Sequence, residues 1–221
     1  MALPAERPQL SEEVAAALRG RIMSGDLRPG ARIRLEEVAA QLGVSITPVR
    51  EALLTLRGED MVELEPRKGY VVAPLSQQDI LDVFQLQGDI AGELAARVAG
   101  RITEAQLAEL VLADRALARA TRARRVADIE RAEYEFHRTV NRMAQARKLS
   151  WFLHTATRYT PARFYSADPG WRAGMRAAHE ELLAAFAQSD PAAARAAMTR
   201  HFTDGADRLV KHLDDLGIWS D

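Results

Sequence analysis

Residues 34–70 read RLEEVAAQLGVSITPVREALLTLRGEDMVELEPRKGY, and this stretch decides the fold of the first part of the chain. Apolar residues at positions 35, 38, 39 and 42 share one helical face, and Gly43 predicts the end of that helix. Ser45 predicts the cap of a second helix, which tolerates Pro48 in its first turn. That second helix has its own apolar stripe, formed by Val49, Ala52, Leu53 and Leu56. Two short amphipathic helices joined by a tight turn predict a helix-turn-helix.

A two-stranded wing is predicted directly after this helix pair. Residues 61–65 alternate between apolar and charged, residues 66–69 spell Pro-Arg-Lys-Gly, and residues 70–72 are apolar again. Two such runs around a basic turn that contains glycine are typical of an antiparallel hairpin. A hairpin in this position makes the whole unit a winged helix-turn-helix.

Exposed residues of this unit are the candidates for contact with double-stranded DNA. Ser45, Thr47 and Arg50 lie at the start of the second helix, from which side chains can reach phosphates or base edges in the major groove. At the wing tip, a charged side chain and a bare backbone can enter a neighbouring groove. The wing-tip candidates are Arg67, Lys68 and Gly69.

The rest of the chain predicts helices only. No strand pattern follows Val72, alanine is abundant, and apolar residues recur at helical spacing with caps such as Thr103. Residues 161–170 are expected to form a loop. The fold class is therefore mainly α, with a winged helix-turn-helix in residues 1–75 and an all-helical bundle of about six helices in residues 76–221.

Composition limits the function classes. The net charge is −1, and residues 1–75 contain ten Lys or Arg against eleven Asp or Glu, so DNA binding must depend on local placement of charge rather than on a general basic field. The absence of cysteine excludes thiolate metal sites and disulfides. Apolar runs are too short to span a membrane and no signal-peptide core is visible, so we expect a cytoplasmic protein.

Three histidines lie on inward faces of three predicted helices. Glu133 and His137 are four residues apart and therefore stack on one helical face, while His179 and His201 each interrupt an apolar stripe. A single histidine of this kind is more often a core residue bonded to a backbone carbonyl. Together, three imidazoles and a carboxylate suit a divalent metal ion such as Zn²⁺, Ni²⁺, Mn²⁺ or Fe²⁺ inside a helical bundle.

Residues 42–53, LGVSITPVREAL, resemble the signature LGVSxTPVREAL of the GntR family of transcription regulators, with Ile46 at the variable place. Residues 24–30, SGDLRPG, resemble the family's link between its first and second helices, and the likeness covers about residues 8–75. The runs EYEFH at 133–137, AHEELL at 178–183 and DPAAARAAMTRH at 190–201 resemble the FCD domain of the FadR subfamily, over about residues 76–215.

The FCD resemblance implies a metal site made of one acidic residue and three histidines, which correspond here to Glu133, His137, His179 and His201. It also implies that the metal binds a small carboxylate effector. Gln87 on the inner stripe of its helix and Arg147 are the candidates for further contacts with that effector.

The resemblance implies a regulator, not an enzyme, that acts as a homodimer on a pseudo-palindromic operator and most simply as a repressor. Two alternatives stay open: a metal-dependent enzyme fused to a DNA-binding module, or a regulator in which the metal is itself the signal or a purely structural element. No HExxH or comparable hydrolase motif supports the enzyme.

Overall fold

A computed structural model describes residues 7–219 of the protein. The first part of the chain forms helices α1 (Arg7–Met23), α2 (Leu35–Leu42) and α3 (Ile46–Gly58) and strands β1 (Arg32–Ile33), β2 (Val62–Glu65) and β3 (Gly69–Val72). Helices follow: α4 (Gln77–Ala99), α5 (Glu104–Ala123), α6 (Val126–Met143), α7 (Arg147–Ala156), α8 (Ala162–Ala167), α9 (Pro169–Ala187) and α10 (Pro191–Asp215). A single 3₁₀ turn, Thr157–Tyr159, separates α7 from α8. The predicted mainly α fold class is confirmed.

The chain divides into two compact units. The first contains the described residues up to Gln77, the short segment Arg158–Pro161, and the described residues from His212 onward. The second contains Gln78–Thr157 and Ala162–Lys211. The first unit therefore includes two segments from late in the sequence, although its sheet and its helix-turn-helix lie within residues 32–72.

The helix-turn-helix forms as its sequence predicts. Helix α2 ends at Gly43, whose φ of 67° is the left-handed conformation that glycine adopts without a steric penalty. Ser45 is the N-cap residue of α3 and has extended backbone, but its hydroxyl makes no capping hydrogen bond. Val49, Leu53 and Leu56 are fully buried against α1, whereas Leu42 at the end of α2 is exposed.

The sheet of the first unit has three strands, one more than the predicted two-stranded wing. Its order is β1-β3-β2 and both pairings are antiparallel, with Ile33 opposite Tyr70 on one side and Leu64 opposite Tyr70 on the other. The prediction was incomplete because β1 has only two residues, too few to show alternation. Its pairing depends on the edge that β3 offers and not on its own propensity.

The turns around the wing use left-handed backbone at residues other than glycine. Arg67 at the wing tip has φ 69° and precedes Gly69 at φ 82°. Asp60, between α3 and β2, has φ 58°. Aspartate is among the few residues other than glycine that tolerate this conformation, so the turn forms without glycine.

In the second unit, seven α-helices replace the predicted six or so. The difference is α8, because residues 161–170 were expected to be a loop. Tyr165 anchors this six-residue helix: its ring is buried and its hydroxyl donates to the carbonyl of Gly205. A helix of one and a half turns shows little periodicity in its sequence, and its stability depends on packing against the rest of the unit.

Helix α5 begins as predicted from its Thr103 cap. Thr103 and Gln106 form a reciprocal capping box at its start.

Close packing of α4 on α10 holds the latter helix in place. A Cβ added to Gly88 would lie 3.3 Å from the carbonyl oxygen of Thr199, and one added to Gly92 would lie 2.6 Å from the Thr199 hydroxyl. That hydroxyl donates to the carbonyl of Gly88 over 3.1 Å. The absence of side chains at these two positions lets α10 approach closely enough for the Thr199 side chain, two residues before His201, to contact the backbone of α4.

Glu59, the C-cap residue of α3, is the centre of an ion-pair cluster within the first unit. Its carboxylate accepts from Arg19 Nε over 2.5 Å and from Arg158 Nη1 over 2.7 Å, and Arg19 is only 4% exposed. Replacing Glu59 with Gln should destabilise the first unit by about 1–3 kcal/mol, because the buried Arg19 guanidinium loses one of its two charged partners and keeps only Glu12. Urea denaturation measures the loss of unfolding free energy, and hydrogen exchange of the α1 and α3 amides shows whether the loss lies in the first unit.

The matched control is Glu63→Gln, which removes the same charge from an exposed position on β2. Its effect should stay within about 0.5 kcal/mol. Equal denaturation midpoints for the two variants would show that the Glu59 cluster does not stabilise the unit.

Candidate functional site

Helix α6 places Glu133 and His137 on one inward face. One turn of helix separates them, and the same face continues through the fully buried Ile129 and Val140. His137 Nε2 lies 3.2 Å from Glu133 Oε1, and both side chains are mostly buried. The helical spacing read from the sequence therefore produces a direct contact.

Helices α9 and α10 bring two more histidines to the same carboxylate. His179 lies between the buried Met175 and Leu182, and its Nε2 is 3.5 Å from Glu133 Oε2. His201 Nε2 is 3.2 Å from Glu133 Oε1. One donor atom from each of the four side chains lies within 4.8 Å of the other three. All three imidazoles thus direct Nε2 toward one carboxylate.

Several polar atoms of this cluster are buried without a hydrogen-bond partner. They are Glu133 Oε2 and both ring nitrogens of His179. Buried polar groups in proteins are rarely left unpaired, because each unpaired group costs about 1–3 kcal/mol. One carboxylate and three imidazole nitrogens are a donor set that suits a divalent cation, so the residues present fit such an ion.

Burial and mutual charge shift the acid–base properties of the cluster. Burial alone would raise the pKa of Glu133, but the charge of His179 and the facing imidazoles outweigh it and hold this pKa well below its usual range. Burial would lower the pKa of His179, but the Glu133 carboxylate, with Asp114, raises it to about 9. For His137, burial outweighs Glu133 and lowers the pKa.

These shifts predict how the stability of the metal-free protein depends on pH. The pKa of His179 is about 6.5 in an unfolded chain and about 9 in the folded protein. Protonation of His179 therefore stabilises the folded protein fully below about pH 6.5, and this stabilisation is lost as the pH rises through about 9. In the presence of chelator, stability should fall by up to about 1 kcal/mol per pH unit in that window. Thermal unfolding between pH 6.5 and 9 measures the slope.

His179→Gln should remove this slope, whereas His154→Gln, a control at an exposed position on α7, should retain it. Parallel slopes for the two variants would contradict the assignment of the raised pKa to His179.

Asp114 is a member of the site that sequence reasoning missed. It lies on α5, is 8% exposed, and its Oδ1 is 3.4 Å from His179 Nδ1. Burial would raise the pKa of Asp114, but interactions with His179 and Arg176 outweigh it and lower that pKa. A signal was present in the sequence: Asp114 occupies a position four after Leu110 and three before Leu117, on the apolar stripe of its helix.

A cavity of about 340 Å³ opens beside the cluster. His201 is part of its wall, which therefore joins the cavity to the four-residue cluster. Its other lining residues are Trp171, Gly174, Met175, Ala178, Asp204, Asp207 and Arg208. The Arg208 guanidinium lies 3.4 Å from the Asp168 carboxylate. The cavity is thus lined by both signs of charge.

The two predicted effector contacts lie in different surroundings. Gln87 is fully buried within the second unit, and its amide donates to the carbonyl of Ala156 over 3.0 Å. Arg147 is the first residue of α7 and is exposed. Neither is among the residues that line the cavity beside His201.

Five of the six candidates for DNA contact are exposed in the first unit. Ser45, Thr47 and Arg50 are exposed around the first turn of α3. At the wing tip Arg67 and Lys68 are exposed, and Lys68 Nζ lies 2.6 Å from Glu65 Oε2. Gly69 is half-buried as the first residue of β3. Helix α3 and the wing therefore both present basic side chains to solvent.

Comparison with known families identifies both halves of the chain. Residues 10–72 match the model of the gntR family of bacterial regulatory proteins, and residues 82–204 match the FCD domain. The chain belongs to the GntR family of transcription regulators and carries an FCD domain. The resemblance to the GntR family and to the FCD domain, read from the sequence, is confirmed. All four clustered residues lie inside the FCD match, and all DNA-contact candidates lie inside the gntR match.

Several relatives are named as HTH-type transcriptional regulators. An uncharacterised HTH-type transcriptional regulator of Mycobacterium tuberculosis is 29% identical over 186 residues, which cover 84% of this chain and 75% of the relative. The Escherichia coli regulator McbR is 32% identical over 101 residues, 46% of either chain. The E. coli repressor RspR is 24% identical over 215 residues, 95% of this chain and 93% of the relative.

The fold has solved counterparts. The structure of E. coli McbR/YncC superposes with a TM-score of 0.68 at 24% identity and covers 91% of this chain and 97% of that one. A putative GntR regulator from Rhodococcus gives a TM-score of 0.60 at 19% identity, over 95% and 99% of the two chains.

Among the residues that the structure describes, no helix has the length and apolar character needed to cross a membrane.

Proposed function

We propose that this GntR regulator is ligand-responsive, and that its helical unit binds a divalent metal ion together with a small organic acid. The observation that carries the proposal is the convergence of three imidazole Nε2 atoms on the buried carboxylate of Glu133. Such an arrangement is costly without a cation and typical of metal sites built between facing helices.

The chain's own residues would hold the ion in defined ways. Glu133 offers a carboxylate oxygen, and His137, His179 and His201 each offer Nε2, a set compatible with Zn²⁺, Ni²⁺, Mn²⁺ or Fe²⁺. When bound, the ion supplies positive charge that attracts a carboxylate. The interior position of the four groups favours retention of a ligand over catalytic turnover.

The cavity beside His201 supports a small acid as the effector. Its volume of about 340 Å³ lies at the lower end of the range typical of small-molecule pockets, and Arg208 on its wall can pair with a carboxylate. Gln87 and Arg147 stay proposed contacts of the acid, although neither lines this cavity. Asp204 and Asp207 favour an acid that also carries hydroxyl or ammonium groups.

On the DNA side, we propose that α3 enters the major groove through Ser45, Thr47 and Arg50, while Arg67, Lys68 and Gly69 of the wing contact the adjacent groove. A homodimer would present two such units to a pseudo-palindromic operator. Repression relieved by the effector is the proposed sign of regulation, and the relative RspR is itself described as a repressor. The effector can act only through a difference in its affinity for DNA-competent and DNA-incompetent dimers.

Loss of one clustered histidine should weaken metal binding. His201→Ala is expected to lower Zn²⁺ affinity by more than the roughly 10–100-fold that removal of a supporting residue costs, because a donor atom itself is lost. Competition titration of chelator-stripped protein measures the affinity. The control His154→Ala removes an exposed imidazole from α7 and should bind Zn²⁺ like the unmodified chain.

The same stripped and reloaded protein separates a sensor from a structural role for the metal. With the metal as part of the sensor, small organic acids raise the melting temperature only of the loaded protein and change its affinity for DNA. If stripping lowers the melting temperature but acids shift DNA binding to the same extent with and without metal, the metal is a structural element and the sensor proposal fails.

DNA recognition by α3 is tested with Arg50→Ala. On duplexes selected from a random pool by the unmodified protein, the variant should bind about 5–150-fold more weakly if Arg50 reads a base edge. Fluorescence anisotropy at several salt concentrations measures this. The control Arg119→Ala removes an exposed arginine from α5 in the helical unit and should leave affinity unchanged.

The salt dependence adds a second criterion. A phosphate contact would lower affinity for all sequences and reduce the salt slope by about one, whereas a base contact would relax specificity at one position. Unchanged affinity, specificity and salt slope in Arg50→Ala would remove Arg50 from the interface.

A further inference from the structure

Helix α5 contributes none of the four clustered donor residues, yet it places a buried acid against one of them. Asp114 Oδ1 lies 3.4 Å from Nδ1 of His179, and Glu133 Oε2 lies 3.5 Å from Nε2 of the same ring. His179 is 1% exposed. Its imidazole is therefore enclosed by two carboxylates, one facing each ring nitrogen.

Other groups hold Asp114 and the ring in these positions. Arg176 Nη1 donates to both carboxylate oxygens of Asp114, over 2.9 and 3.0 Å, and Arg176 also reaches Glu180 over 3.4 Å. Phe136 stacks on the His179 ring with centroids 4.0 Å apart and planes 22° from parallel. The acid is thus fixed by an arginine, and the imidazole can rotate little.

A neutral imidazole carries its proton on one nitrogen and offers a lone pair on the other. The nitrogen that keeps the proton is set by the partner of the other nitrogen, and ligand histidines in metalloproteins usually donate that proton to a carboxylate, carbonyl or water. A carboxylate at Nδ1 favours the Nδ1–H form, which leaves the Nε2 lone pair directed at Glu133. The 3.4 Å separation needs to shorten by only a few tenths of an ångström to reach the usual hydrogen-bond range.

We propose that Asp114 is a positioning residue for the metal centre: it accepts the Nδ1 proton of His179 and thereby presents Nε2 of that ring as a donor. This inference rests on the proposed metal function and adds a residue, and a fourth helix, to it. Arg176 supports Asp114 by donating to both of its carboxylate oxygens.

This support is specific to one of the three histidines. Among residues 10–219, the ion pairs of His137 and His201 run to Glu133, and an acid facing the second ring nitrogen is found at His179. His137 and His201 instead stack on each other, with centroids 5.1 Å apart. Asp114 therefore orients the donor that is most deeply buried and that water cannot orient.

A purely structural reading of Asp114 makes a different prediction. If Asp114 serves only to form an ion pair with Arg176, then Asp114→Asn and Arg176→Gln should impair the protein equally, since each removes one half of that pair. If Asp114 positions His179, only Asp114→Asn should impair metal binding strongly, because Arg176→Gln leaves the carboxylate beside Nδ1.

The test uses the full chain, stripped with chelator and titrated with Zn²⁺ against a competing chelator. Asp114→Asn should bind Zn²⁺ about 10–100-fold more weakly than the unmodified protein, and Arg176→Gln should lose markedly less. Co²⁺ loading supplies a spectroscopic readout, since the visible d–d bands report ligand geometry and should change in Asp114→Asn only.

A second readout needs no variant at Asp114. In Zn²⁺-loaded protein labelled with ¹⁵N-histidine, a proton on His179 Nδ1 that is bonded to a carboxylate resonates far downfield. We expect this resonance in the unmodified protein and in Arg176→Gln, and an upfield shift in Asp114→Asn. If Asp114→Asn does not fold, as judged by circular dichroism, the resonance of the unmodified protein decides.

The outcomes separate the two proposals. Failure of the unmodified chain to bind Zn²⁺ or Co²⁺ overturns the proposed metal function itself. Tight binding by the unmodified chain, with equal affinities and unchanged d–d bands in both variants, or without a downfield Nδ1 proton, overturns the role of Asp114 alone.

Discussion

The second unit depends on how it accommodates one buried carboxylate. Glu133 lies among three imidazoles in a helical interior, and a carboxylate in such a place must be compensated by charge or by hydrogen bonds. The three helices α6, α9 and α10 must therefore keep the separations that allow these contacts. Fully buried aromatic residues such as Phe136 and Phe186, in one continuous apolar core, resist the helix shifts that would separate these groups. Packing that stabilises the fold thus also maintains the geometry of the site.

The acid–base state of the site follows from the same constraint. Burial disfavours charge on both Glu133 and His179, but Glu133 remains ionised because His179 takes up a proton, and His179 keeps that proton because two carboxylates face its ring. In the metal-free protein, Glu133 and His179 therefore form an internal ion pair. In the proposed metal-bound state, a divalent ion would displace the His179 proton and replace one positive charge with two, and the excess positive charge would attract an anionic effector.

Sequence reasoning predicts those parts of the structure that are encoded locally. The caps and stripes of α2 and α3 lie within 25 residues, and the four-residue spacing of Glu133 and His137 converts directly into a shared helical face. Strand β1 and helix α8 were missed, because two and six residues carry no period and both are stabilised by distant partners. Asp114 was missed for a related reason. A single acid on an apolar stripe does not reveal its partner in the sequence, and only the fold shows that His179 lies against it. Convergence of four residues across three helices could be expected from the family resemblance, but their distances could not be read from the chain.

The charge balance of residues 1–75 affects how a regulator of this kind can respond to a ligand. Ten basic and eleven acidic residues among the first 75 leave no general attraction for DNA, so affinity depends on a few side chains of α3 and the wing. Lys68 is paired with Glu65 at an exposed site, where an ion pair is worth less than about 1 kcal/mol, so a phosphate can compete for it. A single copy of this unit would bind weakly. In the proposed homodimer, two weak contacts combine only when their spacing matches the operator, because the second contact gains a high effective concentration and loses it when the geometry fails. Under the proposed function, weak individual contacts would therefore give a small effector a large influence over DNA binding.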